Sequence, residues 1–161
     1  MEFDEQLKNA ISRGQRKAQA EDSQQKKQQL SEQELRQRHN DFRLKLSEHI
    51  ESSLKKLPEH FPGFTFETLY GDRGWGGALF RDDLTTEKST GRGGSFYSRL
   101  EITVRPRGEY NIVDIAVKGT IHNKEVLAKN YHEDIQDASI NSLEEKIDSW
   151  VLQYAERFAA V

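Results

Sequence analysis

The stretch FTFETLYGDRGWGGALFRDDL, Phe64–Leu84, decides how the chain is read. On its N-terminal side, apolar residues recur at intervals of three and four. From Phe64 onward they alternate with polar ones, the period of a strand with one buried face. FTFETLY (64–70) and WGGALFRDDL (75–84) therefore predict two strands, with Gly71-Asp72-Arg73-Gly74 as the turn between them.

The four glycines within Gly71–Gly77 raise the question of phosphate binding. A P-loop needs lysine and then Ser or Thr after its last glycine, but Gly77 is followed by Ala78 and Leu79. The dinucleotide fingerprint G-x-G-x-x-G must open a helix; Gly74-Trp75-Gly76 runs instead into strand, with Leu79 where the third glycine belongs. The expectation is structural. Gly71 and Gly74 supply turn dihedrals, and Gly76 and Gly77 permit a bulge or the close approach of a neighbour.

Reading toward the C-terminus, SFYSRLEITVR (95–105) turns Phe96, Leu100, Ile102 and Val104 one way, and Tyr97, Arg99, Glu101, Thr103 and Arg105 the other. A fourth strand is predicted over 109–121 and a fifth over 126–132, joined through His122-Asn123-Lys124-Glu125. Apolar matching favours pairing Val117 with Tyr131 and Ile121 with Leu127. The closing segment carries Ile140, Leu143, Ile147, Trp150, Val151, Tyr154 and Phe158 at helical spacing. Its start is expected at a Ser142/Glu145 capping box, with Ser139 as the other possible cap.

Reading toward the N-terminus, LSEQEL (30–35) combines a capping box, Ser31 with Glu34, and a hydrophobic staple, Leu30 with Leu35. It predicts a helix from Ser31 to Leu57, with Leu35, Phe42, Leu46, Ile50, Leu54 and Leu57 on its apolar stripe and Pro58 ending it. Residues 1–30 are polar, and the Gln/Lys-rich part has nothing to bury, so they predict a partly helical arm or linker. The fold class is α+β: an antiparallel meander of about five strands, with an N-terminal and a C-terminal amphipathic helix on one face, plus that polar arm. The domain is expected over 31–161.

Hydrophobic residues make up 34% of the 161 residues and charged ones 32%, a polar balance for one compact domain. The formal charge of −3 conceals a gradient. Residues 71–107 hold seven basic against five acidic side chains, whereas 108–161 hold five against ten. That is too mild to mark a nucleic-acid binder. There is no cysteine, which removes disulfides, thiolate metal sites and cysteine nucleophiles. The acidic start MEFDEQLKNAI lacks the apolar centre of a secretory signal, and no apolar run is long enough for a membrane span. A cytoplasmic, soluble protein is expected.

Catalytic patterns fail one by one. The five histidines show no metal-ligand spacing, Gly94-Ser95-Phe96 is not a nucleophile elbow, and the acids Glu67, Asp72, Asp82, Asp83, Glu101 and Asp114 lack the E-x-K pairing of metallonucleases. The leading expectation is a non-enzymatic adaptor without cofactor or metal. It engages a protein partner, or another copy of itself, through Phe3, Leu7 and Ile11 on one face of the coiled-coil-like arm. The alternative is single-stranded nucleic-acid binding by Arg73, Trp75, Arg92 and Tyr97, with arginines on phosphates and rings on bases. A third reading places a small ligand, or a hydrolytic site, in a pocket between sheet and helices near Trp75 and Trp150.

Overall fold

A computed structural model describes residues 2–86 and 93–161, with side chains for 2–23, 32–83 and 95–161. The elements run α1 (Phe3–Lys55), α2 (Leu57–His60), β1 (Thr65–Leu69), β2 (Trp75–Thr86), β3 (Gly93–Val104), β4 (Ile112–Ile121), β5 (Lys124–Asp134) and α3 (Ile140–Ala159). The chain divides into two compact units, Met1–Gln37 and Arg38–Val161.

The first unit is helical from Phe3 onward. No helix begins at Ser31, contrary to the capping-box expectation, because the helical backbone already passes through it. The Gln, Lys and Ala residues upstream propagate a helix readily, so a cap sequence need not become a terminus. The side chains of Leu30 and Ser31 lie outside the described ones. Among the described side chains of this unit, Leu35 alone is buried.

In the second unit the remainder of α1 carries Leu46, Ile50 and Leu54, all fully buried, at the i, i+4, i+8 spacing of one helix face. Phe42 on the expected stripe is half-buried. Pro58 follows the end of α1 and sits in the first turn of α2, where its missing N–H costs nothing.

The sheet is a five-stranded antiparallel meander in the order β1-β2-β3-β4-β5. Register puts Gly77, Ile102 and Val117 in one row and Leu79, Leu100 and Gly119 in the next, all on one face. Leu54 of α1 lies against Gly77, and Tyr154 of α3 against Gly119. Both helices therefore cover the same face, and the opposite face carries Arg99, Glu101, Thr103, Asp114 and Lys118.

The glycine run is structural, for two distinct reasons. Gly71 and Gly74 have φ of 132° and 130° across the β1–β2 turn, which is closed by Gly74 N–H donating to the Gly71 carbonyl at 3.1 Å. A Cβ on Gly76 would stand 2.0 Å from the Ile102 carbonyl oxygen, and one on Gly77 would stand 2.6 Å from the Phe66 ring. The close approach is realised, and the β2–β3 ladder runs through both positions without a bulge.

The β4–β5 register differs from expectation. Ile115, not Val117, pairs with Tyr131, and Gly119, not Ile121, pairs with Leu127. A two-residue turn causes this. His122 and Asn123 both have positive φ, 48° and 70°, so the hairpin closes at Ile121–Lys124, and a bulge at Gly119/Thr120 absorbs one residue. Asn123 also pins the turn to β3. Its N–H donates to the Tyr97 carbonyl at 2.8 Å, its Oδ1 accepts from Tyr97 N–H at 2.9 Å, and its Nδ2 donates to the Ser95 carbonyl at 2.9 Å.

Ser139, rather than Ser142, caps α3, accepting from Ser142 N–H through Oγ at 3.5 Å. The reciprocal half of a capping box comes from outside the helix: Glu133, near the end of β5, accepts the Ser139 N–H at 2.9 Å. From there Leu143, Ile147, Trp150, Val151, Tyr154 and Phe158 form the buried face.

Candidate interaction surfaces

In the first unit, Phe3, Leu7 and Ile11 recur every four residues of α1 and so share one side of it. They are 73%, 48% and 54% exposed. Single exposed apolar residues are ordinary, but three aligned on a helix form a stripe able to occupy a groove. Along this stretch the charges are ordered, with Asp4 and Glu5 in the first turn and Lys8 and Arg13 following; Asp4 and Lys8 border the stripe and Glu5 lies on the opposite side.

In the second unit, the described residues form an apolar groove of about 600 Å³ between the end of α1, α2 and α3. Leu57, Phe61, Val151, Leu152 and Ala155 line it, with Ser53 bonded to Asp148 at one end, and Lys56 and His60 further along the chain toward Phe61, which packs on Phe158, at the other. Leu152 is 68% exposed on its rim. Sequence reasoning missed this groove. Its signal is Leu152, an apolar residue just off the buried face of α3.

Beside the groove, α1 and α3 are joined by polar contacts. His49 Nε2 lies 2.8 Å from Asp148 Oδ1, and Ser53 Oγ donates to the same oxygen at 3.1 Å. The three residue types are those of a hydrolytic triad, in the wrong order. Activation of serine requires imidazole between hydroxyl and carboxylate, whereas here the carboxylate stands between the other two. The cluster ties two helices together and leaves Ser53 un-ionised.

Of the acids considered from sequence, Glu67, Asp82, Asp83, Glu101 and Asp114 are dispersed and partnered. Arg99 Nη2 reaches Glu67 at 3.4 Å and Glu101 at 3.2 Å, spanning the Glu67–Ala78–Glu101 row on the uncovered sheet face. Arg81 holds Asp83 at 2.7 Å, Ser95 donates to Asp82, and Arg105 stands 3.7 Å from Asp114. Among the described residues, no three His, Asp or Glu side chains converge as a metal site.

Of the residues of the nucleic-acid alternative, the two rings Trp75 and Tyr97 are not brought together. Trp75 pairs with Val104, and Tyr97 is seven residues further along β3, about 24 Å at strand rise. The two rings also face opposite sides of the sheet. Arg43 stacks 4.2 Å from the Trp75 ring centroid, occupying a face a base would need. Arg73 lines a different feature, a depression of about 610 Å³ on the uncovered sheet face floored by Thr103, Ala116 and Ala128. Its rim carries both signs, Arg73, Arg105 and Lys118 with Glu101 and Glu125. Arg92 lies outside the described residues. Among the described residues, Trp75 and Trp150 do not share the pocket expected near them: Trp150 is fully buried, and Trp75 belongs to a shallow cleft with Arg43 and Tyr70.

Two buried groups have displaced ionisation. Burial pushes the pKa of His39 down, the nearby Arg107 and Arg43 guanidiniums push it further, and a hydrogen bond with the Arg105 backbone opposes them. His39 Nε2 is buried without a partner, consistent with a neutral ring. Burial raises the Tyr154 phenol, which stays protonated and donates to the Thr120 carbonyl at 2.8 Å. No helix among the described residues is long and apolar enough to cross a membrane.

No protein-family model, curated protein sequence or solved structure matches this chain.

Proposed function

We propose that the protein is a non-enzymatic interaction module that engages a protein partner through its N-terminal helical arm. One observation carries the reading: Phe3, Leu7 and Ile11 lie exposed on one side of α1, flanked by charged residues that keep the rest of the helix solvated. Docking such a stripe in a partner's groove removes apolar area from water at roughly 25 cal/mol per Å², while the charged flanks set orientation. The ordering of His49, Asp148 and Ser53, and the pairing of acids with arginines, support a binding role over a catalytic one.

The test compares the full chain, the 31–161 fragment and a Leu7→Glu/Ile11→Glu variant as baits in host lysate, each with and without nuclease. A protein partner that survives nuclease and is lost from both altered baits is the expected result. Partners retained by both altered baits would sink the reading. Unfolding of the 31–161 fragment, seen by circular dichroism, would mean that the arm belongs to the core.

A further inference from the structure

The groove between α1, α2 and α3 has the dimensions and charge order of the arm itself. Phe3 to Ile11 spans about 12 Å of helix, and the stretch of α3 from Asp148 to Ala155 that walls the groove spans about 10 Å. The groove wall is apolar where the stripe is apolar, with Leu57, Phe61, Val151, Leu152 and Ala155 along it. Three apolar side chains of the arm and Leu152 on the rim are exposed to water together, and one contact would cover them all.

Charge chooses the direction. Lys56 and His60 stand at one end of the groove, and Asp148 stands at the other, with Glu144 4.0 Å from the His49 ring beside it. Along the arm the order is acidic and then basic, Asp4 and Glu5 before Lys8 and Arg13. Laid antiparallel to α3, the arm sets Asp4, which borders the stripe, toward Lys56 and His60, and Lys8 toward Asp148; Glu5 and Arg13 lie further round the helix. Laid parallel, it opposes like charges at both ends. The antiparallel direction also brings the positive N-terminal end of the arm helix to the negative C-terminal end of α1.

From this match we infer that the arm's partner is a second copy of the chain: Phe3, Leu7 and Ile11 of one copy occupy the α1–α3 groove of another. The inference rests on the arm being the binding element, and adds its occupant and address. A reciprocal pair of such contacts makes a closed dimer, whereas one-way contacts from copy to copy make an open chain.

The chain has no cysteine, so single thiols report the contact directly. Full-length Leu7→Cys and Leu152→Cys chains, differently tagged, are mixed and mildly oxidised, then run without reductant. Leu44→Cys, exposed outside the groove, replaces Leu152→Cys as the control. The expected product is a mixed disulfide between the thiols introduced at positions 7 and 152. It should form at least about tenfold above the Leu44→Cys control and be identified by mass spectrometry. In sedimentation, Leu7→Glu and Leu152→Glu should each weaken self-association about tenfold or more, with circular dichroism unchanged.

Three outcomes overturn the inference. One is homodimerisation of Leu7→Cys as efficient as the mixed product, which would mean that arms pair with arms. Another is closure of a Leu7→Cys/Leu152→Cys chain on itself at the expense of the dimer. The third is mixed product no greater than the control. If any of these occurs while Leu7→Glu still abolishes capture of another protein, the inference fails and the arm-mediated function stands. If Leu7→Glu disturbs no association at all, both fail.

Discussion

The two ends of α1 use one pattern to opposite effect. Phe3, Leu7 and Ile11 repeat every four residues and are exposed; Leu46, Ile50 and Leu54 repeat every four residues and are fully buried. Helical spacing states only that an apolar face exists. Whether that face is core depends on what the rest of the chain provides opposite it. Near Leu54 the provision is specific. Gly77 lies so close that a Cβ there would stand 3.3 Å from the leucine methyl, and the missing side chain is what lets helix and sheet meet.

The contrast can be broken by measurement. The largest expected effect is at Leu54: Leu54→Ala should cost roughly 2–5 kcal/mol in denaturant unfolding, because it removes contacts and leaves a cavity. A loss under about 1 kcal/mol would mean that this face is loosely packed and the contrast overstated.

An intermediate effect is expected at His39. Its pKa is lowered in the folded state, so the unfolded chain binds more protons as pH falls through the ordinary histidine value of about 6.5. Stability from this residue is therefore present above that pH and is lost below it. Unfolding midpoints of the parent chain and His39→Leu should diverge between about pH 7.5 and 5.5, with the variant showing the shallower decline. Parallel declines would show that His39 takes up its proton without strain.

The smallest effect belongs to the arm. Leu7→Ala should change stability by no more than about 0.5 kcal/mol, the range of a surface substitution. Should it instead approach the cost of Leu54→Ala, the stripe is packed in the folded molecule, and the two faces of α1 are alike after all.

Much of the second unit was legible from sequence. The change of period at Phe64, the turn chemistry after Leu69 and the alternation in 95–105 each have a local cause, and each element appears where that cause puts it. Three features were not legible, and they share a reason. The β4–β5 register depends on a bulge and on two residues accepting positive φ, neither of which leaves an apolar signature. The separation of Trp75 from Tyr97 follows from the β2–β3 register, which sets both distance and face. The pairing of His49 with Asp148 joins residues 99 positions apart, beyond any spacing rule. The candidate surface was half visible: the arm stripe is local, while the groove exists only once α1, α2 and α3 are packed.

That 99-residue span has a consequence for how the molecule is assembled. Each strand of the meander pairs with its neighbour in sequence, so the sheet can close like a zip, hairpin by hairpin, with little chain entropy lost per step. The helical layer has no such route. Its two long members lie on opposite sides of the sheet in sequence and meet only by closing the whole chain around it. In a folding order where that closure comes last, the face bearing Leu79, Leu100, Ile102 and Ile115 lacks its full cover in the interval, and there the chain is most open to aggregation.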